Sequence, residues 1–267
     1  MDKLMERAVV RSQKSIAGGI YDMWLEAPGI AARALAGQFV DVYCDDNSRL
    51  LPRPISICQT DKDKGHIRLV YRVAGKGTAE FSGLAPGDAI DVLGPLGNGF
   101  LAASGMPRAE DRIMLIGGGI GIPPMLGLAA SLRAELPGDS SKVDIVLGYR
   151  DEVFLLEDFT GLGSVYTAVE DGHRGVKGTV LDAIEEYGIK ADVIYACGPA
   201  PMLRAIKAYA AASSVTAWVS MEERMACGVG ACLGCVVRTE HTDAHSNVRN
   251  RRVCADGPVF NASEVII

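Results

Sequence analysis

Basic charge is the first thing this chain is short of. Its 267 residues carry 27 Lys and Arg against 33 Asp and Glu, a formal net charge of −6. That balance argues against the electropositive face a nucleic-acid surface needs. An apolar block is missing from the start of the chain, where Met1-Asp2-Lys3-Leu4-Met5-Glu6-Arg7 mixes charges of both signs. A secretory signal would be apolar there, so the expected location is the reducing cytoplasm. Internal repeats and low-complexity tracts are absent too. One uncharged run is long enough to raise the question of a membrane span, Ile113 to Leu132, but five glycines and Pro123-Pro124 interrupt it. In lipid those breaks would strand backbone polar groups. A buried strand, a glycine turn and a helix are expected instead, with no membrane.

What the chain does hold is an unusual run of cysteines. Four of its seven, Cys227, Cys232, Cys235 and Cys254, are spaced C-x4-C-x2-C-x18-C. That is the plant-type spacing for a [2Fe–2S] cluster. Gly228, Gly230 and Gly234 lie between them, where glycine permits positive φ and leaves no Cβ in the way of the sulfurs. A structural zinc site is the weaker alternative, because it normally draws on two cysteine knuckles and Cys254 stands alone. A disulfide framework is weaker again in a chain of this length.

With 48% hydrophobic residues the chain can bury real cores, in two domains of ordinary size or one large one. Residues 1–102 read as all-β: short β-branched segments are separated by turns at Gly18-Gly19, Asp45-Asp46-Asn47, Lys62 to Gly65 and Pro86 to Asp88. Such spacing predicts an antiparallel barrel or sandwich. Gln38 to Cys44 and His66 to Val73 alternate as half-buried strands. Between them, Arg53 stands between Pro52 and Pro54 on a segment stiffened by those prolines. A guanidinium held that way suits a phosphate, and an incidental arginine on an edge strand is the equal alternative. Gly75-Lys76-Gly77-Thr78 then offers backbone N–H groups and a hydroxyl to an anion.

From residue 103 the pattern changes to alternating strands and helices. Arg112 to Ile116 is a continuous apolar run, as in a strand buried on both faces. It leads into Gly117-Gly118-Gly119-Ile120-Gly121-Ile122-Pro123-Pro124 and an apolar helix. Strand, glycine turn and helix start is the arrangement that seats a pyrophosphate, although the glycine spacing departs from G-x-G-x-x-G. Further strands are expected at Val143 to Tyr149, Ser164 to Val169 and Asp192 to Cys197. The last ends in Cys197-Gly198-Pro199 before a helix with Met202, Leu203, Ile206, Tyr209 and Ala210 on one face. Such units imply a parallel sheet that binds ligands at its carboxyl ends. Cys197 is either an apolar filler or a group facing a cofactor.

Taken together, R-P-I-S with a following G-K-G-T, the G-G-G-I-G-I-P-P turn and C-G-P resemble the ferredoxin reductase-like flavoprotein family over the whole chain. Ser220 to Cys232 and Arg252 to Phe260 narrow the resemblance to the electron-transfer subunits of NAD-dependent (class 1B) dihydroorotate dehydrogenases. The resemblance implies three parts: an FAD-binding β-barrel over 1–102, an NAD-binding α/β domain over 103–217 and a [2Fe–2S] subdomain over 218–267. It implies FAD contacts from Arg53, Pro54, Ile55, Ser56, Val70, Tyr71, Arg72, Gly77 and Thr78, with Ser56 beside the reactive end of the flavin. Many relatives carry an aromatic where Ile55 stands, so an aromatic stacking contact is not expected there. NAD would be met by Gly117, Gly118, Gly119, Gly121, Cys197, Gly198 and Pro199.

The implied partner is an FMN-containing catalytic subunit, in a heterotetramer of two subunits of each kind. The implied task is to relay electrons from it to NAD+ in de novo pyrimidine (UMP) biosynthesis. NAD+ accepts only hydride, and FAD converts single electrons to hydride, so the order cluster, FAD, NAD+ follows. No acid–base pair or nucleophile is required of this chain, and His66, His173, His241 and His245 are expected to be structural or exposed. Two rivals remain: an NADH-oxidising flavin/iron–sulfur reductase feeding an oxygenase or ferredoxin, and a zinc-stabilised nucleotide sensor. The choice of NAD over NADP rests on the resemblance, since Arg150, just after a strand, could meet a 2′-phosphate.

Overall fold

A computed structural model describes residues 3–46, 48–136, 142–242 and 247–267. Of the positions named above, Met1, Asp2, Asn47 and His245 lie outside the described residues.

The first hundred residues close into a six-stranded antiparallel barrel. Its strands are β1 (Leu4–Ala17), β2 (Ile20–Glu26), β3 (Phe39–Val42), β4 (Arg53–Asp61), β5 (His66–Arg72) and β6 (Ala89–Leu96), in the order β1-β2-β5-β4-β3-β6. Side-chain alternation decides what each residue does. Val40, Val42, Ile57, Leu69, Tyr71, Ile90 and Val92 point inward and form one core. Helices α1 (Pro28–Arg33) and α2 (Lys76–Phe81) add Ile30, Ala31 and Phe81 to it. The alternate residues Phe39, Asp41, Pro54, Ser56, Val70 and Arg72 are left on the outer face of β3, β4 and β5.

The second layer system is a largely parallel sheet. Short α3 (Phe100–Ser104) leads to β7 (Ile113–Gly118), a 3-10 turn over Gly119–Gly121, and α4 (Ile122–Glu135). Then follow β8 (Val143–Tyr149), β9 (Ser164–Val169), β10 (Val176–Lys177), α5 (Val180–Glu186), β11 (Val193–Cys197), α6 (Ala200–Ser213) and β12 (Thr216–Ser220). The run from 113 to 132 is therefore strand, turn and helix, as its glycines and prolines required. No helix among the described residues is long and apolar enough to cross a membrane.

Helix α4 is apolar on nearly every side because it is covered on two. Met125, Leu128 and Leu132 join Leu115, Ile145 and Leu147 of the sheet in one core. On the other side Gly127 meets the barrel so closely that a Cβ there would lie 2.4 Å from the Cys58 carbonyl oxygen. Helix α6 buries Leu203, Ile206 and Ala210, the stripe expected from its spacing.

The last fifty residues are woven into both domains. Strands β13 (Val236–Arg238) and β14 (Asn250–Arg252) pair with each other, and β15 (Val259–Asn261) runs antiparallel to β12. The larger sheet thus has the order β10-β9-β8-β7-β11-β12-β15. The division at 102/103 falls inside α3, and that at 217/218 falls inside β12. Asn98 N donates to the Gly257 carbonyl at 2.7 Å, and Met221 N to that of Pro258 at 2.9 Å.

Candidate cofactor sites

The cysteine loop is built by a hairpin. Val236 pairs with Arg252 across β13 and β14, and Val253 N donates to the Cys235 carbonyl at 2.8 Å. The 18-residue gap therefore closes on itself and returns Cys254 to Cys235. The four thiols act on one another chiefly as two pairs, Cys232 on Cys227 and Cys235 on Cys254. Backbone amides turn toward the sulfurs, with Ala231 N 3.3 Å from Cys227 Sγ, Gly234 N 3.4 Å from Cys232 Sγ and Cys254 N 3.4 Å from Cys235 Sγ.

Electrostatics differs between the pairs. Burial raises the Cys227 thiol, but N–H groups of Val229, Cys232 and Ala231 outweigh it and bring the group down to about 6. Burial, then the neighbouring Cys235, pushes Cys254 up to about 12. Among the described residues no three His, Cys, Asp or Glu side chains gather as a group for a metal ion. Two thiols at each of two irons is the donor set a [2Fe–2S] cluster needs, and the paired cysteines fit it. Gly228 and Gly230 adopt φ of +61° and +86°, as glycine allows. The third left-handed position is not Gly234 but Leu233, at φ +57°. Arg252 braces the loop, donating to the Gly230 carbonyl at 3.0 Å while its Nη2 meets Asp256 Oδ1 at 3.0 Å.

The residues expected around the flavin divide by strand alternation. Pro54, Ser56 and Arg72 are on the outer barrel face and remain accessible. Val70 is buried in the core that also contains Ile122 and Met125 of α4. Tyr71 sends its side chain the other way. It stacks on Tyr21 inside the barrel, and its hydroxyl lies 2.9 Å from Gln13 Oε1, which leaves only its backbone for the outer face. Ile55 likewise packs against the barrel core.

Arg53 is brought against Gly77 so closely that a Cβ on that glycine would lie 2.4 Å from Nε. The guanidinium and the start of α2 therefore form one cradle, which fits a pyrophosphate. Thr78 contributes shape rather than a free hydroxyl. Its Oγ1 accepts from Ala74 N at 2.9 Å and Gly75 N at 3.2 Å, and donates to the Gly75 carbonyl.

The two glycine turns of the α/β domain meet. Cys197 pairs with Gly117 in parallel register, and a Cβ on Gly198 would lie 3.2 Å from the Gly118 Cα. Above them opens a cavity of about 790 Å³ whose lining includes Gly118, Gly119, Gly198, Pro199, Arg72 and Tyr149. Gly117, Gly121 and Cys197 lie beneath it. Cys197 is buried, and burial pushes its thiol far above the ordinary value; it fills space below the cavity floor. The cavity suits a dinucleotide at strand carboxyl ends.

Sequence reasoning missed Glu222, Thr179 and Glu152 in this lining. Glu222 is accessible to solvent within the concavity, yet the protein around it raises its carboxyl. Its only signal was its place in Met221-Glu222-Glu223-Arg224 ahead of the cysteines. Glu152 accepts from Gly18 N at 2.6 Å and joins the barrel to the cavity rim. Arg150 donates to its neighbour Asp151 at 2.9 Å and is well exposed.

Comparison with known proteins decides the family. Curated relatives from Geobacillus kaustophilus (strain HTA426) and Bacillus caldolyticus are each 42% identical over 98% of both chains, and each is a dihydroorotate dehydrogenase B (NAD(+)) electron transfer subunit. This chain belongs to that family. Its segments match three domain families: the oxidoreductase FAD-binding domain over residues 8–100, the oxidoreductase NAD-binding domain over 115–208 and the iron–sulfur cluster binding domain of dihydroorotate dehydrogenase B over 222–266. The family's cofactors are thus FAD, NAD and an iron–sulfur cluster, and an electron-transfer subunit implies a catalytic partner. Among solved structures, an NADH-dependent reduced ferredoxin–NADP oxidoreductase aligns at TM-score 0.83 and 29% identity, covering 98% of this chain and 90% of that one. A ferredoxin reductase of carbazole 1,9a-dioxygenase aligns at TM-score 0.66 and 19% identity over 80% and 67%, a likeness of fold.

Proposed function

We propose that this chain takes electrons from the FMN-containing catalytic subunit of dihydroorotate dehydrogenase and delivers them to NAD+, in the pathway to UMP. One observation carries the reading. The outer face of β3, β4 and β5 is bordered at Asp41 by the cysteine loop and at Arg72 by the dinucleotide cavity, so a single surface connects both ends of a relay.

Cys227, Cys232, Cys235 and Cys254 hold the [2Fe–2S] cluster. Arg53, Gly77 and Thr78 seat the FAD pyrophosphate, Pro54 and Ser56 support the isoalloxazine, and Arg72 borders it on the cavity side. Gly118, Gly119, Gly198 and Pro199 form the floor under NAD, held in register by Gly117, Gly121 and Cys197. When bound, the cluster supplies single electrons and the flavin turns two of them into the hydride that NAD+ requires. The chain's own residues bind and orient; none is asked to move a proton. The parts divide near 102 and 217, and the assembly is a heterotetramer of two subunits of each kind.

The test is Cys232→Ser in the complex with its catalytic subunit. Electron transfer from dihydroorotate to NAD+ should be abolished, while NADH oxidation with a flavin-directed dye stays partly intact. Equal loss of both would overturn separate cluster and flavin roles. A wild-type chain that purifies alone and works only with an added oxygenase would favour the stand-alone reductase instead.

A further inference from the structure

Asp41 is out of place by ordinary rules. It sits on the outer face of β3, fully buried, and neither carboxylate oxygen has a hydrogen-bond partner among the described residues. Buried polar groups are paired almost without exception, and an exception calls for a cause. Its cross-strand partners are Pro54 on β4 and Leu93 on β6, and neither supplies a hydrogen bond to its side chain. What covers it is the cysteine loop. A Cβ on Gly228 would lie 2.0 Å from Asp41 Oδ2 and 3.1 Å from Leu96 Cδ1, so only glycine lets the loop descend onto this carboxylate. Burial, and after it the charge on Cys227, raises the Asp41 carboxyl to about 6.

We propose that Asp41 is a positioning residue of the electron relay: a barrel carboxylate set beneath the cysteine loop that lowers the reduction potential of the cluster. The inference rests on the assignment of the four cysteines to a [2Fe–2S] cluster. The argument is electrostatic. Reduction adds one electron to the cluster, breaks no bond and increases its negative charge by one unit. A carboxylate buried against the loop, with no hydrogen-bond partner among the described residues, opposes that increase more strongly than a surface charge would. A cluster held at lower potential passes its electron on to the flavin more readily. Asp41 lies opposite Pro54, so the cysteine loop rests beside the strand that carries Pro54 and Ser56.

The test is a redox titration of the holoprotein, with the cluster followed by electron paramagnetic resonance and FAD by visible absorption. Asp41→Asn keeps the shape and removes the charge. It should raise the cluster midpoint by the equivalent of about tenfold in the one-electron equilibrium, about 59 mV, and move FAD less. Asp91→Asn removes an exposed carboxylate paired with Arg7 on the neighbouring β6, and should shift neither. An unshifted cluster midpoint in Asp41→Asn would overturn the proposal, as would an equal shift in Asp91→Asn or a larger shift at FAD. Loss of the cluster from Asp41→Asn at normal FAD content and melting temperature would also overturn it, in favour of a purely structural role. The wild-type resonance signal tests the cluster assignment independently, so the two failures are distinguishable.

Discussion

The guanidinium of Arg68 on β5 donates from Nη1 to Asp158 Oδ1 at 2.5 Å, joining the barrel to the α/β domain. The same side chain holds Asp22 on β2 through Nε and Nη2, both at 2.9 Å. Asp22 and Arg68 are 2% and 6% exposed, so their charges depend on each other, while Asp158 is partly solvated. Arg68→Ala should therefore cost roughly 3–5 kcal/mol, because it leaves a buried carboxylate unpaired. Asp158→Ala should cost about 1 kcal/mol or less. Urea unfolding of the two variants checks the ratio, and equal losses would contradict it.

Arg53 and Gly77 give a second prediction. A methyl at Gly77 would meet Arg53 at Nε, the mobile end of a flexible side chain, so the guanidinium yields and the fold does not. Gly77→Ala should weaken FAD binding while sparing the melting temperature of the apoprotein. Arg53→Ala should weaken FAD binding by about 2 kcal/mol, the scale of a charge-assisted hydrogen bond. Flavin fluorescence titration reads both.

Gly121 offers the opposite case. A Cβ there would lie 2.3 Å from the Cys197 carbonyl oxygen and 2.6 Å from Gly198 N. These are backbone atoms of β11 and its turn, which cannot step aside. Gly121→Ala should destabilise the chain by roughly 1–3 kcal/mol, as overpacking does, and should also weaken NADH binding by spreading the two turns. Thermal unfolding and NADH titration together check this. Normal stability with normal binding would mean that the turns are not in contact.

The Arg112–Asp192 pair makes a prediction in pH. It ties the amino ends of β7 and β11, away from the cavity. Arg112 donates Nε and Nη2 to the carboxylate at 3.1 and 2.9 Å, and its backbone N–H adds a third bond at 2.9 Å. These hydrogen bonds hold Asp192 down at about 2, below an unfolded value of about 3.9. A group depressed on folding stabilises the fold above the unfolded value and loses that contribution as pH falls toward the folded one. Asp192→Asn should therefore flatten the acid limb of the melting-temperature profile between about pH 4 and 2. NADH oxidation at pH 7 should stay unchanged.

How much of this was legible in the chain varies with the range of the contacts involved. The strand Ile113–Gly118, its glycine turn and α4 were readable because apolar periodicity, Gly and Pro act on adjacent residues. The same holds for the stripe of α6. Alternation sets which part of Tyr71 the outer face can use: V-Y-R lies on both faces of β5, and the barrel sends the middle side chain inward, leaving the backbone. Cys197 was ambiguous in sequence because a strand end can face either the ligand or the layer below. The contact with Gly121 places it below.

The sequence by itself determined which chemistry the chain carries. Four thiols at one spacing, a proline-flanked arginine and two glycine turns specify donors, and donor identity is local. Tertiary structure alone decided where those donors meet. Cys254 returns to Cys235 because β13 and β14 pair across a gap, β15 closes a sheet begun 146 residues earlier at Ile113, and Gly228 comes to rest on Asp41. Each joins segments far apart in the chain, and such contacts are set by the packing of whole layers, which no local pattern records.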